Sequence, residues 1–306
     1  MIAAAFDVGT NTFLMVIGKY EYDAWTILHD AHSIARLGEG VQSSARISEE
    51  AYKRAEDIAK QYISLCSDYD VTIGYGVATS AVRDAENGHE VCTRLSKTLG
   101  FEIQRISGEE EARLSFTGTL ETMNLSTVID IGGGSTEYIT GDKNNIKQRR
   151  SLQIGAVRIH ERFFKHLPPQ KTDIAAAREE IRRQLEMLSQ AENITNIGEI
   201  IGVGGTFTTL AALDLKLTEF QSERVHNHIL SAEAVSRITD ELLRSSTAQL
   251  LENPAIHPKR ADILPAGALI LQESLRFFGV SSCKASTKGL RYGVLYDIPR
   301  HFAQLS

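Results

Sequence analysis

The chain has 306 residues, 42% of them hydrophobic and 24% charged, with a formal net charge of −6. That is enough globular sequence for two domains of ordinary size, and no apolar run approaches the roughly 20 residues that span a bilayer. The acidic balance argues against a nucleic-acid partner, yet it leaves room for an anion held locally by backbone amides, hydroxyls and a few arginines.

Taken in chain order, residues 2–6 predict a first strand, not a signal peptide, because the start lacks a basic flank and a cleavage site. The strand runs into Asp7-Val8-Gly9-Thr10-Asn11-Thr12, a turn of small residues, and a second β-rich stretch follows at residues 13–17. Ser48 is the predicted cap of a helix reaching about Cys66, with Ala51, Ala55, Ile58 and Tyr62 on one face. Residues 71–80 read as an apolar strand ending in Thr79-Ser80. Ser107-Gly108-Glu109-Glu110 has the spacing of a capping box and opens a helix carrying Ala112, Phe116 and Leu120. A strand at 127–129 then enters Asp130-Ile131-Gly132-Gly133-Gly134-Ser135-Thr136, with β-rich residues 138–140 beyond it. Leu167-Pro168-Pro169 breaks the chain before a long helix that buries Ile181, Leu185 and Leu188. Residues 200–209 repeat the plan of 71–80, and Ser231 caps a helix burying Val235, Ile238 and Leu242 while exposing Glu233 and Arg237.

Two of these features recur in the same order. Asp7 returns as Asp130, 123 residues later, and Thr79 as Thr206, 127 residues later. Such a period is too long for a solenoid and predicts two similar domains. Alternating strands and helices make each domain α/β, with mixed sheets flanked by helices and a cleft between the domains. Cys66, Cys92 and Cys283 are few, odd in number and far apart, which suits a reducing, cytoplasmic setting and gives no metal spacing.

The chemistry is expected at the two Asp-Gly turns. Tight Gly/Ser/Thr turns present several N–H groups in one concavity, and their hydroxyls add donors. One such aspartate alone would be read as fixing its own turn. The matched pair, Asp7 and Asp130, is read as placed to hold a divalent cation, since magnesium prefers oxygen ligands and keeps much of its water. Among the next carboxylates, Glu110 stands where the capping partner of Ser107 belongs, and Glu109 suits a solvated first turn. Glu111 is left as the candidate base that orients and deprotonates water. Glu137 could reach metal or water, or be an ordinary strand residue. Arg36, Arg83, Arg158, Lys288 and Arg291 each lie beside a glycine- or hydroxyl-rich segment and suit phosphate contacts. His226 and His228 lack a third metal ligand nearby and are read as packed or hydrogen-bonded. The Walker-type phosphate loop, the dinucleotide fingerprint and the nucleophile elbow are all missing.

These segments together resemble the exopolyphosphatase/guanosine-pentaphosphate phosphohydrolase family, within the superfamily of sugar kinases, heat-shock proteins and actin. The likeness rests on Asp7–Thr12, Arg36-Leu37-Gly38-Glu39-Gly40, Ala78-Thr79-Ser80-Ala81-Val82-Arg83, and Ser107-Gly108-Glu109-Glu110-Glu111-Ala112. It continues through Asp130–Glu137, Gly155-Ala156-Val157-Arg158, Gly202-Val203-Gly204-Gly205-Thr206 and Gly289-Leu290-Arg291-Tyr292-Gly293. The resemblance implies two duplicated actin-like (ribonuclease H-like) domains, at 1–124 and 125–295. A final helix, from Gly289 to about Phe302, would pack back on the first, with the part at about 296–306 assigned to it. It also implies hydrolysis of terminal phosphoanhydride bonds, with Glu111 as base and Asp130 and Glu137 assisting metal and water. The implied phosphate-holding set is Gly9, Thr10, Asn11, Thr12, Arg83, Gly132, Gly133, Gly134, Ser135, Thr136, Gly205 and Thr206. Asp7, Asp130 and Glu137 would hold magnesium or manganese. Inorganic polyphosphate or guanosine pentaphosphate is the implied substrate, and a homodimer the implied assembly. Rival readings are a non-catalytic polyphosphate or alarmone sensor and an actin-like ATPase or sugar kinase. Two departures are visible: the helical region that longer members append is missing, and Tyr292 stands where the family more often has an acidic residue.

Overall fold

The computed structural model describes residues 1–191 and 197–303. The chain divides into two compact units, Met1–Thr119 together with the segment from Lys288 on, and Leu120–Thr287.

The first unit is built on β1 (Ile2–Val8), β2 (Thr12–Glu21), β3 (Ala24–Ile34), β4 (Ile73–Ala78) and β5 (Glu102–Arg105), in the order β3-β2-β1-β4-β5. β1 to β3 form an antiparallel meander, while β4 and β5 add in parallel beside β1. Parallel neighbours need crossovers, which the helices Glu49–Asp68 and Gly88–Leu99 supply. Ser48 caps the first of these through the Ala51 N–H. Side chains alternate across a strand, so Ala4, Phe6 and Val8 meet the crossover helices while Ala3 and Ala5 face Leu114, Leu290, Val294 and Ile298. The latter four come from the helices Gly108–Thr119 and Leu290–Ala303. That last helix covers the span expected from Gly289 to about Phe302, and residues 304–306 lie outside the described residues.

The second unit repeats the plan with β6 (Ser126–Ile131), β7 (Thr136–Gly141), β8 (Ile146–Leu152), β9 (Glu199–Val203), β10 (Ile229–Ser231) and β11 (Ser282–Ala285). Its order is β10-β11-β9-β6-β7-β8, with β6 to β8 antiparallel and β9 and β11 parallel beside β6. The extra strand β10 pairs antiparallel at the edge. Ile181, Leu185 and Leu188 of the helix Lys171–Ala191 are buried in its core. Ser231 caps the helix Ala232–Arg244 through the Ala234 N–H. Two sheets that share this strand order, each flanked by helices, make the chain a duplicated actin-like fold.

The helix Gly108–Thr119 owes its position to glycines. A Cβ on Gly293 would lie 1.8 Å from the Leu114 carbonyl oxygen, and one on Gly118 would lie 2.1 Å from the Gly289 carbonyl oxygen. Backbone therefore meets backbone where this helix crosses the last one. Gly293→Ala is expected to push the helices apart at a cost of about 1–3 kcal/mol. A urea unfolding curve checks the loss, and an unchanged midpoint would refute the close crossing.

Among the described residues no helix is long and apolar enough to cross a membrane. Cys66, Cys92 and Cys283 are buried free thiols, and burial pushes all three up, to about 12, 11 and 12.

Candidate active site

The two Asp-Gly turns have the same backbone geometry. Gly9 donates its N–H to the Thr12 carbonyl at 2.8 Å, and Gly132 to the Ser135 carbonyl at 3.0 Å. A following loop secures each turn. Gly38 N–H bonds the Thr10 carbonyl in the first, and Ala156 N–H bonds the Gly132 carbonyl in the second. Asp7, Thr10, Asn11, Ser135 and Thr136 are buried, whereas Gly132 and Gly133 are partly open.

Strand register separates what the turns hold in common from what they do not. Asp130 lies directly opposite Glu137 on β7, so two carboxylates share one face of the sheet. The corresponding partner of Asp7 on β2 is Leu14. Directly opposed like charges destabilise a strand pair. Ser151, on β8 opposite Glu137, donates its hydroxyl to Glu137 Oε1 at 2.7 Å. Glu137 is only 1% exposed. The turn after β9 closes over the same place, since a Cβ on Gly204 would lie 3.3 Å from Asp130 Oδ1.

In the first unit the helix Gly108–Thr119 brings Glu111 to Arg83. Arg83 Nη1 donates to Glu111 Oε2 at 2.9 Å and to the Ile106 carbonyl at 3.2 Å. Thr10 is tied to the same region, accepting the Ala81 N–H at 3.2 Å. Glu110 departs from its expected role. Ser107 does cap the Glu110 N–H, but the Glu110 carboxylate takes a two-pronged bond from Arg113, which also reaches Asp297. A charged fork outcompetes a neutral backbone donor for a carboxylate.

Of the five basic candidates, Arg83 is bonded to Glu111. Arg158 donates to the Gly134 carbonyl at 2.7 Å and braces the second turn. Arg36 pairs with Glu39. Arg291 is clasped by Asp30 through both Nε and Nη2 at 2.8 Å. Tyr292 donates its hydroxyl to the same Asp30 at 2.8 Å, so an acidic residue there would place a second carboxylate against it. Lys288 lies 5.9 Å from the Tyr292 ring centre. The histidines are hydrogen-bonded. His228 meets Asp214 at 2.9 Å, and His226 Nδ1 accepts the Thr287 N–H.

One residue escaped the sequence reading. Arg260 is 7% exposed, and burial lowers it to about 10. Its guanidinium presses on Gly205, where a Cβ would lie 1.0 Å from Nη1. A cation buried without a carboxylate is costly, and beside Gly205 and Thr206 it is suited to an anion. The only signal was the glycine opening the helix Gly205–Asp214, a residue that helices disfavour.

Comparison with known proteins gives the family. The model of the Ppx/GppA phosphatase family matches residues 16–302. "Exopolyphosphatase 2" of Mycobacterium tuberculosis is 30% identical over 286 residues, covering 89% of both chains. The crystal structure of an exopolyphosphatase from Cytophaga hutchinsonii is 29% identical with a TM-score of 0.90, covering 98% of each chain. "Guanosine-5'-triphosphate,3'-diphosphate pyrophosphatase" of Photobacterium profundum is 28% identical over 96% of this chain, which spans 59% of that relative's length. With matched glycine turns, a buried glutamate on an arginine and a family match nearly end to end, the chain belongs to the Ppx/GppA phosphatase family.

Proposed function

We propose that this protein is an exopolyphosphatase that releases orthophosphate from the ends of inorganic polyphosphate in the cytoplasm. Glu111 takes the proton from the attacking water. The water oxygen bonds to the terminal phosphorus, the bridging P–O bond breaks, the shortened chain departs with the bridging oxygen, and the terminal phosphorus is released as orthophosphate. The Gly9–Thr12 and Gly132–Thr136 turns, with Arg83, Gly205, Thr206 and Arg260, hold the phosphates.

The observation that carries the reading is the opposed Asp130–Glu137 pair next to a three-glycine turn. Two hard oxygen donors facing each other on one sheet face fit magnesium or manganese. Asp130 and Glu137 would hold the ion, and Asp7 has the corresponding place beside the first turn. Bound there, the ion supplies charge neutralisation for the phosphates. A sensor that only binds a polyanion gains nothing from a carboxylate pair, which argues for turnover.

Guanosine-pentaphosphate 5′-phosphohydrolysis is the second reading, favoured by the likeness to the Photobacterium protein. Phosphate release with magnesium, measured separately on long polyphosphate and on guanosine pentaphosphate, tests both. Faster release from polyphosphate is the expected result. Preference for the nucleotide would replace the first reading with the second, and binding without release would leave the sensor.

A further inference from the structure

Ser80 and Arg83 each leave a buried polar atom unpaired. Ser80 is 2% exposed and its Oγ has no hydrogen-bond partner, and Arg83 Nη2 is likewise buried and unpartnered. Both lie on the short helix Ser80–Asp84. Residues three apart share a side of a helix, so the two side chains leave this helix on the same side. They stand next to the first turn, because the intervening Ala81 N–H is bonded to Thr10. Ser80 is also three residues past Val77, which pairs with Asp7, just as Thr206 is three residues past Val203, which pairs with Asp130.

An unsatisfied buried donor costs about 1–3 kcal/mol, and folded proteins leave few of them. Two on one side of one turn, one carried by the arginine that holds Glu111, call for a ligand. Arg83 spends its Nη1 on Glu111 and Ile106. A carboxylate paired with a guanidinium is a poor base, since the pair favours the ionised form. A terminal phosphate carries more negative charge than a carboxylate and matches the guanidinium fork with two oxygens.

We propose that Ser80 and Arg83 form a phosphate seat that fills only when Arg83 lets go of Glu111. In the ligand-free state Arg83 restrains the base. An arriving terminal phosphate draws the guanidinium away, the Ser80 hydroxyl donates to the same phosphate, and Glu111 is released to take a proton from water. Ser80 thereby becomes a substrate-contacting residue, and turnover without substrate in place is suppressed. The assignment rests on the phosphohydrolase reading above.

The test is equilibrium binding of an imido-linked triphosphate, which is not hydrolysed, by titration calorimetry. Glu111→Gln removes the charge that competes for Arg83 and is expected to tighten binding about tenfold in the otherwise native protein. In an Arg83→Met background the same change is expected to alter affinity by less than about twofold. Equal tightening in both backgrounds would mean general charge relief, and would overturn the release. Ser80→Ala breaks no hydrogen bond, so the free protein should melt at the native temperature while binding weakens severalfold. A lowered melting temperature with unchanged affinity would overturn the seat. Arg83→Lys, which keeps the charge without the fork, should bind with intermediate affinity even if the methionine variant misfolds. Should the cycle hold while neither polyphosphate nor guanosine pentaphosphate releases phosphate, the hydrolase reading fails and the seat stands. Absence of any binding by the native protein would overturn the seat.

Discussion

Glu111→Gln is expected to slow phosphate release from polyphosphate by about 10²- to 10⁴-fold, the usual contribution of a positioned base. The substitution preserves shape. Its amide oxygen can still accept from Arg83 Nη1, which meets Glu111 at 2.9 Å, and the helix Gly108–Thr119 remains capped by Ser107. A melting temperature close to native should therefore accompany the loss of turnover, and polyphosphate should still bind. What disappears is the ability to take a proton from water. Steady-state phosphate release with a thermal melt on the same preparation checks this. Retention of more than about a tenth of the native rate would exclude Glu111 as the base and return attention to the other carboxylates.

The second large effect concerns the opposed pair. Glu137→Gln should reduce turnover at least about a hundredfold at a fixed magnesium concentration and raise the magnesium needed for half-maximal rate. In metal-free buffer the same variant should be no less stable than the native protein. Removing one of two directly opposed carboxylates relieves a repulsion of roughly 0.2–1 kcal/mol, while the glutamine side-chain oxygen still accepts from Ser151. Chelator-treated protein followed by calorimetry, then titrated with magnesium, separates the two effects. A metal-free melting temperature well below native, with unchanged magnesium dependence, would mean that Glu137 only braces β7 and β8.

Much of this protein could be read locally. Helix caps at Ser48 and Ser231 depend on a hydroxyl and an N–H three residues on, so neighbouring residues suffice to predict them. The Asp-Gly turns are equally local, because each closes through a bond spanning three residues. The third strand of each meander was not read. β3 lies at a sheet edge and buries only Ile34 fully, so it lacks the apolar run that marked β1 and β6. Capping-box spacing at Ser107 predicted the cap but not the fate of the Glu110 carboxylate. Arg113 and Asp297 decided that, and the latter is 184 residues away from Arg113.

The candidate site divides in the same way. Repetition of Asp7-Val8-Gly9 as Asp130-Ile131-Gly132 determines two similar units and two turns of matching backbone shape, since small residues dictate backbone shape wherever they stand. It makes the halves look chemically alike. Strand pairing makes them different, setting Asp130 against Glu137 and Asp7 against Leu14. Arg83 and Arg291 both sit in motifs that suit phosphate, yet folding gives one to Glu111, 28 residues on, and the other to Asp30, 261 residues back. Arg260 carries no local mark and acquires its place only by being packed, without a counter-charge, onto Gly205. Local geometry follows from residue type and spacing. Electrostatic roles depend on which distant side chains the sheet register and helix crossings bring within a few ångströms, because charge interactions weaken with distance through space, whatever the separation along the chain.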